Sequence, residues 1–131
     1  MKELKLIEFL DKHRIEYEIE NDNERVIYKD ILLNLSHKGI SELPKDIGLL
    51  ECNILYLAKN NIKELPISIG DIRCNYIDLR YNVIPKHNIK YIDRIENLEF
   101  VYTDYNNDLS EIKKLCIVNS RKEKILSVLN S

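Results

Sequence analysis

Residues 53–74 read NILYLAKNNIKELPISIGDIRC, and the preceding residues 31–52 read ILLNLSHKGISELPKDIGLLEC. The two segments match, at positions spread over their whole length, when they are offset by 22 residues. The matched positions are Leu33 with Leu55, Leu35 with Leu57, Ile40 with Ile62, Leu43-Pro44 with Leu65-Pro66, Ile47-Gly48 with Ile69-Gly70, and Cys52 with Cys74. A fixed period of this size indicates repeated supersecondary units, here called the first and second units.

A third unit continues this pattern, and a fourth is degenerate. The positions that the third unit keeps are Ile77, Leu79, Asn82 and Ile84. It then departs, because His87-Asn88 stands where the first two units have Leu-Pro. Residues 100–102 (FVY) take the strand positions of the fourth unit if one extra residue precedes them. Tyr105 or Asn106 then stands where the asparagine belongs.

Each unit has an apolar face that it cannot bury alone. Leu55 and Leu57 are two residues apart, so they point to the same side of a strand. Asn60 follows where the chain must turn, since asparagine tolerates turn geometry and bonds the backbone through its amide. Ile62 and Leu65 then point back into the same core. Stacked units bury these faces together, and their strands align as a parallel sheet on one side.

A stack of this kind needs a cap at each end of its core. Residues 2–13 have the apolar spacing of an amphipathic helix, and residues 15–20 alternate as a strand does. A turn signal at 21–23 (NDN) completes a predicted helix-plus-hairpin cap over residues 1–29. Residues 107–131 predict two short helices that cover the last unit. Alternatively, the final helix docks on a partner or on a second copy.

These motifs resemble the leucine-rich-repeat family. Residues 52–74 fit its pattern L-x-x-L-x-L-x-x-N-x-L-x-x-L-P-x-x-I-G-x-L, with Cys52 and Cys74 in the first leucine position. The Leu-Pro and Ile-Gly elements are similar to the intracellular, Ras-group-like subclass, whose repeats have about 22–23 residues. The first unit departs from the pattern, because Lys38 replaces the asparagine. The resemblance covers residues 30–106.

The resemblance implies an α/β fold: a right-handed solenoid of about four repeats with a parallel sheet on its concave face. The sequence predicts one domain over residues 1–131. The formal net charge of −2 argues against a nucleic-acid partner. No signal-peptide core is visible, and no stretch approaches the roughly 20 apolar residues of a membrane helix. With three sparse cysteines, which do not make a disulfide framework, we expect a cytoplasmic protein that does not bind membranes.

The sequence contains no pattern that indicates catalysis. His13, His37 and His87 have no metal-ligand spacing, and no nucleophile stands with a positioned base. A glycine-rich phosphate loop is absent as well. We therefore expect no enzyme activity, no cofactor and no metal. Cys52 and Cys74 are expected to fill the core as small apolar residues, with a redox or metal role as the alternative.

The outward positions of the predicted sheet carry the candidate binding residues. One outward row contains Asn34, Tyr56, Asp78 and Val101, and the row before it contains Leu32, Ile54, Tyr76 and Glu99. The candidate partner-binding residues are Tyr56, Tyr76, Asp78, Arg80, Tyr81, Lys59 and His37. Tyrosine and arginine are enriched at binding hot spots, although tyrosine also suits strands for structural reasons alone.

These residues predict a monomeric, non-catalytic module that binds a protein partner on its concave face. In this hypothesis Tyr56, Asp78, Arg80 and Tyr81 form one exposed patch. The alternative is a structural or self-associating subunit that uses the sheet edge or the C-terminal helix.

Overall fold

The computed structural model describes residues 4–20 and 24–105. Within these ranges the only α-helix is α1, Lys5–Lys12. The strands are β1 (Glu18–Glu20), β2 (Arg25–Ile27), β3 (Leu32–Asn34), β4 (Leu50–Glu51), β5 (Ile54–Tyr56), β6 (Tyr76–Asp78) and β7 (Phe100–Tyr102). Short 3₁₀ helices connect several of them, at Ile47–Leu49, Ile67–Asp71 and Lys86–Arg94. The chain is therefore a mixed α/β protein whose strands pair mostly in parallel, in agreement with the α/β part of the predicted fold class.

The larger sheet is parallel, and its strands lie in chain order, β3-β5-β6-β7. Leu33 pairs with Leu55, and Leu55 pairs with Ile77, so both steps have the offset of 22 residues that the sequence predicts. These side chains are at most 1% exposed and point into the core. The outward side of this sheet is the surface that carries the candidate binding residues.

The register of the last strand differs from the prediction by one residue. Val101 pairs with Ile77 and is fully buried, so it does not lie in the outward row of Asp78. Phe100 and Tyr102, instead of Glu99 and Val101, occupy the outward rows. The last step is thus 24 residues, because the 3₁₀ helix Lys86–Arg94 lengthens the connection by two residues where one was expected. A slip of one residue moves every side chain of a strand to the opposite face.

The amino-terminal segment forms a helix and a hairpin, as predicted. Helix α1 buries Leu6 and Leu10 against the core. Strand β1 pairs antiparallel with β2, and β2 pairs in parallel with β4. The predicted strand from Ile15 begins only at Glu18, because Arg14 adopts a left-handed conformation and the Ile15 N–H donates to the Leu10 carbonyl. The predicted helical cap at 107–131 lies outside the described residues.

Two asparagines after the strands connect successive units. Asn60 is half-buried, and its side chain bonds backbone groups of its own unit and of the preceding one. Its partners are the N–H groups of Lys38 and Ile40, at 2.9 and 3.1 Å, and the carbonyl groups of Leu35 and Leu57, both at 2.9 Å. Asn82 repeats most of this arrangement one unit later, since it accepts the N–H of Ile62 and donates to the carbonyl groups of Leu57 and Leu79. The predicted backbone bonding of Asn60 is confirmed, and both asparagines are half-buried.

The units also approach closely on the side of the 3₁₀ helices. A Cβ atom added at Gly48 would lie 2.4 Å from the Ser68 carbonyl oxygen. Arg25 joins the same region, since it donates to the carbonyl oxygens of Gly48, at 2.6 Å, and of Asp71, at 3.1 Å. The glycine in the Ile-Gly motif therefore has a packing role: it lets consecutive connections touch.

Candidate protein-binding surface

An aromatic cluster covers the outward side of the four-stranded sheet. We call it the aromatic face; it comprises Leu32, Ile54, Tyr56, Tyr76, Phe100 and Tyr102. Ile54 and Phe100 are each only 4% exposed, because the surrounding tyrosines and Leu32 pack over them. The three tyrosines are half-buried. This second apolar cluster thus lies on the side of the sheet that faces away from the main core.

An ion pair is fixed beside this cluster. The Asp78 carboxylate is fully buried, and it accepts Arg80 Nη2 at 2.7 Å and Arg80 Nε at 3.1 and 3.2 Å. The Arg80 guanidinium lies 3.8 Å from the centroid of the Tyr102 ring. Burial alone would lower the pKa of Arg80, but the hydrogen bonds and the charge of Asp78 outweigh it and raise that pKa. The guanidinium is therefore charged and held in one orientation.

Three residues in left-handed conformation follow the strands and form what we call the rim: His37, Lys59 and Tyr81, with φ of 54°, 60° and 58°. The rim residues lie side by side along the carboxyl ends of β3, β5 and β6. The Lys59 N–H donates to the Arg80 carbonyl at 2.9 Å, and the Tyr81 N–H donates to the Asp104 carboxylate at 3.0 Å. Tyr81 is 59% exposed. Lys59 Nζ and Arg80 Cζ lie 5.9 and 5.8 Å from the centroid of its ring.

The structure brings most of the predicted site residues together. Tyr56 and Tyr76 lie in the aromatic face; Lys59 and Tyr81 lie in the rim, with Arg80 between the two groups and His37 at the end of the rim. Asp78 departs from the expectation of an exposed patch, because Arg80 covers it completely. Tyr102 was missed. Tyr102 joins the outward row because it lies 24 residues after Asp78, and the sequence alone did not define a step of that length.

The cysteine pair lies in the core, away from this surface. The Sγ atoms of Cys52 and Cys74 are 3.7 Å apart, and both residues are buried as free thiols. The hydrogen bond with Cys74, and then burial, raise the pKa of the Cys52 thiol well above its ordinary value. The Cys52 thiol is therefore a poor nucleophile and a poor metal ligand, since each reaction needs the thiolate.

A polar groove of about 570 Å³ lies at the amino-terminal ends of the strands, opposite the rim. It borders on Cys52 and Cys74 and is otherwise lined largely by asparagines and charged side chains, including Asn53, Asn75 and Arg73. Within residues 4–20 and 24–105, no three His, Cys, Asp or Glu side chains are grouped so that they could hold a metal ion. The groove therefore offers polar contacts but no metal site among the residues that the structure describes.

No family model, curated protein or solved structure matches the chain at a significant level. In the part of the chain that the structure describes, every helix is too short or too polar to cross a membrane. The aromatic face and the rim are therefore the features on which a functional assignment depends.

Proposed function

We propose that the chain is a leucine-rich-repeat solenoid that binds a protein partner on its concave surface, formed by the aromatic face, Arg80 and the rim. The parallel strands in chain order, spaced by 22 residues over the first two steps, support the repeat assignment. The side chains of Asn60 and Asn82, which bond the backbone of consecutive units, support it too. In this proposal the connections on the other side make up the convex surface.

The observation that carries the proposal is an aromatic cluster on the outward side of the sheet, next to a fixed arginine. Tyrosine and arginine are the residue types that dominate binding energy at protein interfaces. Arg80 is held by Asp78 and Tyr102 before any partner arrives, so little side-chain freedom is lost on binding. A surface of this kind is suited to binding a protein.

The size of the surface limits the kind of contact it makes. Four strands about 4.8 Å apart span roughly 15 Å. A standard interface of about 800 Å² per partner is roughly 28 Å across, so this sheet covers only about half of that width. Affinity then depends on a few anchors. Tyr56, Arg80 and Tyr81 are the side chains best placed to serve as anchors.

We propose a non-catalytic role that needs no cofactor. The described residues contain no nucleophile with a positioned base, and the raised pKa of Cys52 keeps its thiol protonated. Two free thiols 3.7 Å apart suit a reducing compartment such as the cytoplasm.

The test begins with affinity capture from the source cells, followed by reconstitution with the purified partner. Tyr56→Ala and Tyr81→Ala should each weaken binding by about 1–2 kcal/mol, which is about 5- to 30-fold, with the fold intact. Lys45→Ala and Lys63→Ala, at exposed positions on the Leu-Pro side, are the matched controls. Binding that is lost in the control variants and kept in the tyrosine variants would refute the proposal.

Light scattering on the purified protein tests the rival assignment. A monomer is expected for a dedicated binding module. A dimer that Tyr56→Ala and Tyr81→Ala leave intact would favour a self-associating subunit, and variants from Ser120 onward would then locate its contact.

A further inference from the structure

We infer that the concave surface takes an acidic segment of its partner: one carboxylate binds between Lys59 and Arg80, and adjacent apolar side chains cover the aromatic face. The inference rests on the proposed function and specifies the chemistry of the partner. It follows from the charges at the rim and from the hydrogen-bond donors that they leave available.

Part of the Arg80 guanidinium remains available as a hydrogen-bond donor. Its Nε and Nη2 atoms donate to Asp78, whereas Nη1 donates to none of the residues in 4–20 and 24–105. The side chain is 16% exposed, so part of the guanidinium reaches the surface. A carboxylate forms a charge-assisted hydrogen bond with a guanidinium, which is stronger than a bond between neutral groups.

Lys59 supplies a second cation at the same place. It is exposed and forms no ion pair within the described part of the chain, and neither does Lys38, which follows the rim residue of the neighbouring strand. Lys59 and Arg80 both approach the exposed ring of Tyr81, at 5.9 and 5.8 Å. Both cations therefore lie beside one exposed ring, where an acidic side chain of a partner would meet them.

The nearby carboxylates are already engaged. Asp78 is buried under Arg80, and both oxygens of Asp104 lie 3.0 Å from the Tyr81 backbone nitrogen. Asp104 keeps its negative charge, because a backbone N–H is neutral, but Lys38 and Lys59 together carry more positive charge than Asp104 carries negative charge, although the whole chain has a net charge of −2.

The experiment uses a random library of short linear peptides as the probe, selected on the full-length protein. Peptides retained by the wild type should be enriched in Asp or Glu next to apolar residues. Replacing that acid by Gln or Asn in a synthetic copy should weaken binding about tenfold or more. Raising the salt from about 0.05 M to about 0.5 M should weaken it as well, because the charges are screened.

Lys59→Glu is the decisive variant, and Lys63→Glu is its matched control on the other side. Lys59→Glu should shift the selection from acidic to basic peptides, with an unchanged urea midpoint, while Lys63→Glu should select as the wild type does. The selected peptides could instead be neutral, bind Lys59→Glu as well as the wild type, and fail to bind Tyr56→Ala. This result would overturn the acidic partner and leave the proposed function standing. Two results would overturn both the acidic partner and the proposed function. One is a set of peptides that bind Lys59→Glu and Tyr56→Ala as well as the wild type. The other is a selection in which the wild type retains no more peptides than a variant that combines Lys59→Glu with Tyr56→Ala.

Discussion

Replacing Asn60 by alanine removes a side chain that joins two consecutive units. The asparagine makes four backbone hydrogen bonds of 2.9 to 3.1 Å, two as acceptor and two as donor. At about 0.5–1.5 kcal/mol each, four bonds are worth roughly 2–6 kcal/mol. Asn60 is half-buried, so water can replace part of the lost hydrogen bonding in the variant. We therefore expect the free energy of unfolding to fall by about 2–3 kcal/mol.

The assay is urea unfolding followed by circular dichroism. With a slope of about 1–3 kcal/mol per M for a domain of this size, the Asn60→Ala midpoint should fall by about 0.7–3 M. Asn61→Ala is the matched control, because Asn61 is exposed and its side chain bonds nothing in the described ranges. Midpoints that fall equally in both variants would refute the connecting role of Asn60.

Three further predictions concern packing, redox state and protonation. Gly48→Ala should lower the free energy of unfolding by about 1–3 kcal/mol, because its Cβ would lie 2.4 Å from a backbone oxygen of the next unit; urea unfolding measures this. The intact mass of native protein should not change on reduction, since Cys52 and Cys74 are free thiols; a bridged mass would contradict this. An NMR titration should place the pKa of His13 below about 6.5, owing to burial and two neighbouring lysines, and Lys38→Gln should raise it. Because the unfolded chain then takes up the proton first, this histidine should reduce stability as the pH falls through about 6.5, and an unperturbed titration would refute the prediction.

The regular part of the fold is predictable from the sequence. Leucines two residues apart define the inward face of a strand, and an asparagine three residues after the second leucine defines the turn. The leucines of the first and second units coincide at one offset, although Lys38 stands where the second unit has Asn60, so the pairing of Leu33 with Leu55 needs no further information. Each position has one residue type that the local geometry favours, and the pattern is therefore unambiguous.

The last strand was not predictable in the same way. Phe100, Val101 and Tyr102 are all apolar or aromatic, so no alternation distinguishes the inward from the outward side. The offset depends on how many residues the 3₁₀ helix Lys86–Arg94 absorbs, and the sequence does not mark its end. The burial of Asp78 was missed for a related reason. Asp78 and Arg80 are two residues apart on one face, but the ring that holds the arginine in place comes from the misassigned strand.

In the turns after the strands, the side chains that bond the backbone of one unit come from the following unit. Asn60 satisfies backbone groups of the first unit, Asn82 those of the second, and the buried Asn88 accepts the N–H of Leu65. A unit is thus completed by a side chain that lies 20 to 23 residues further on. During synthesis on the ribosome, a unit that has just emerged lacks these partners, and its turn gains their hydrogen bonds only after the following unit has left the exit tunnel. Folding of this protein should therefore trail its translation by one repeat, with the newest repeat always the least stable part of the growing chain.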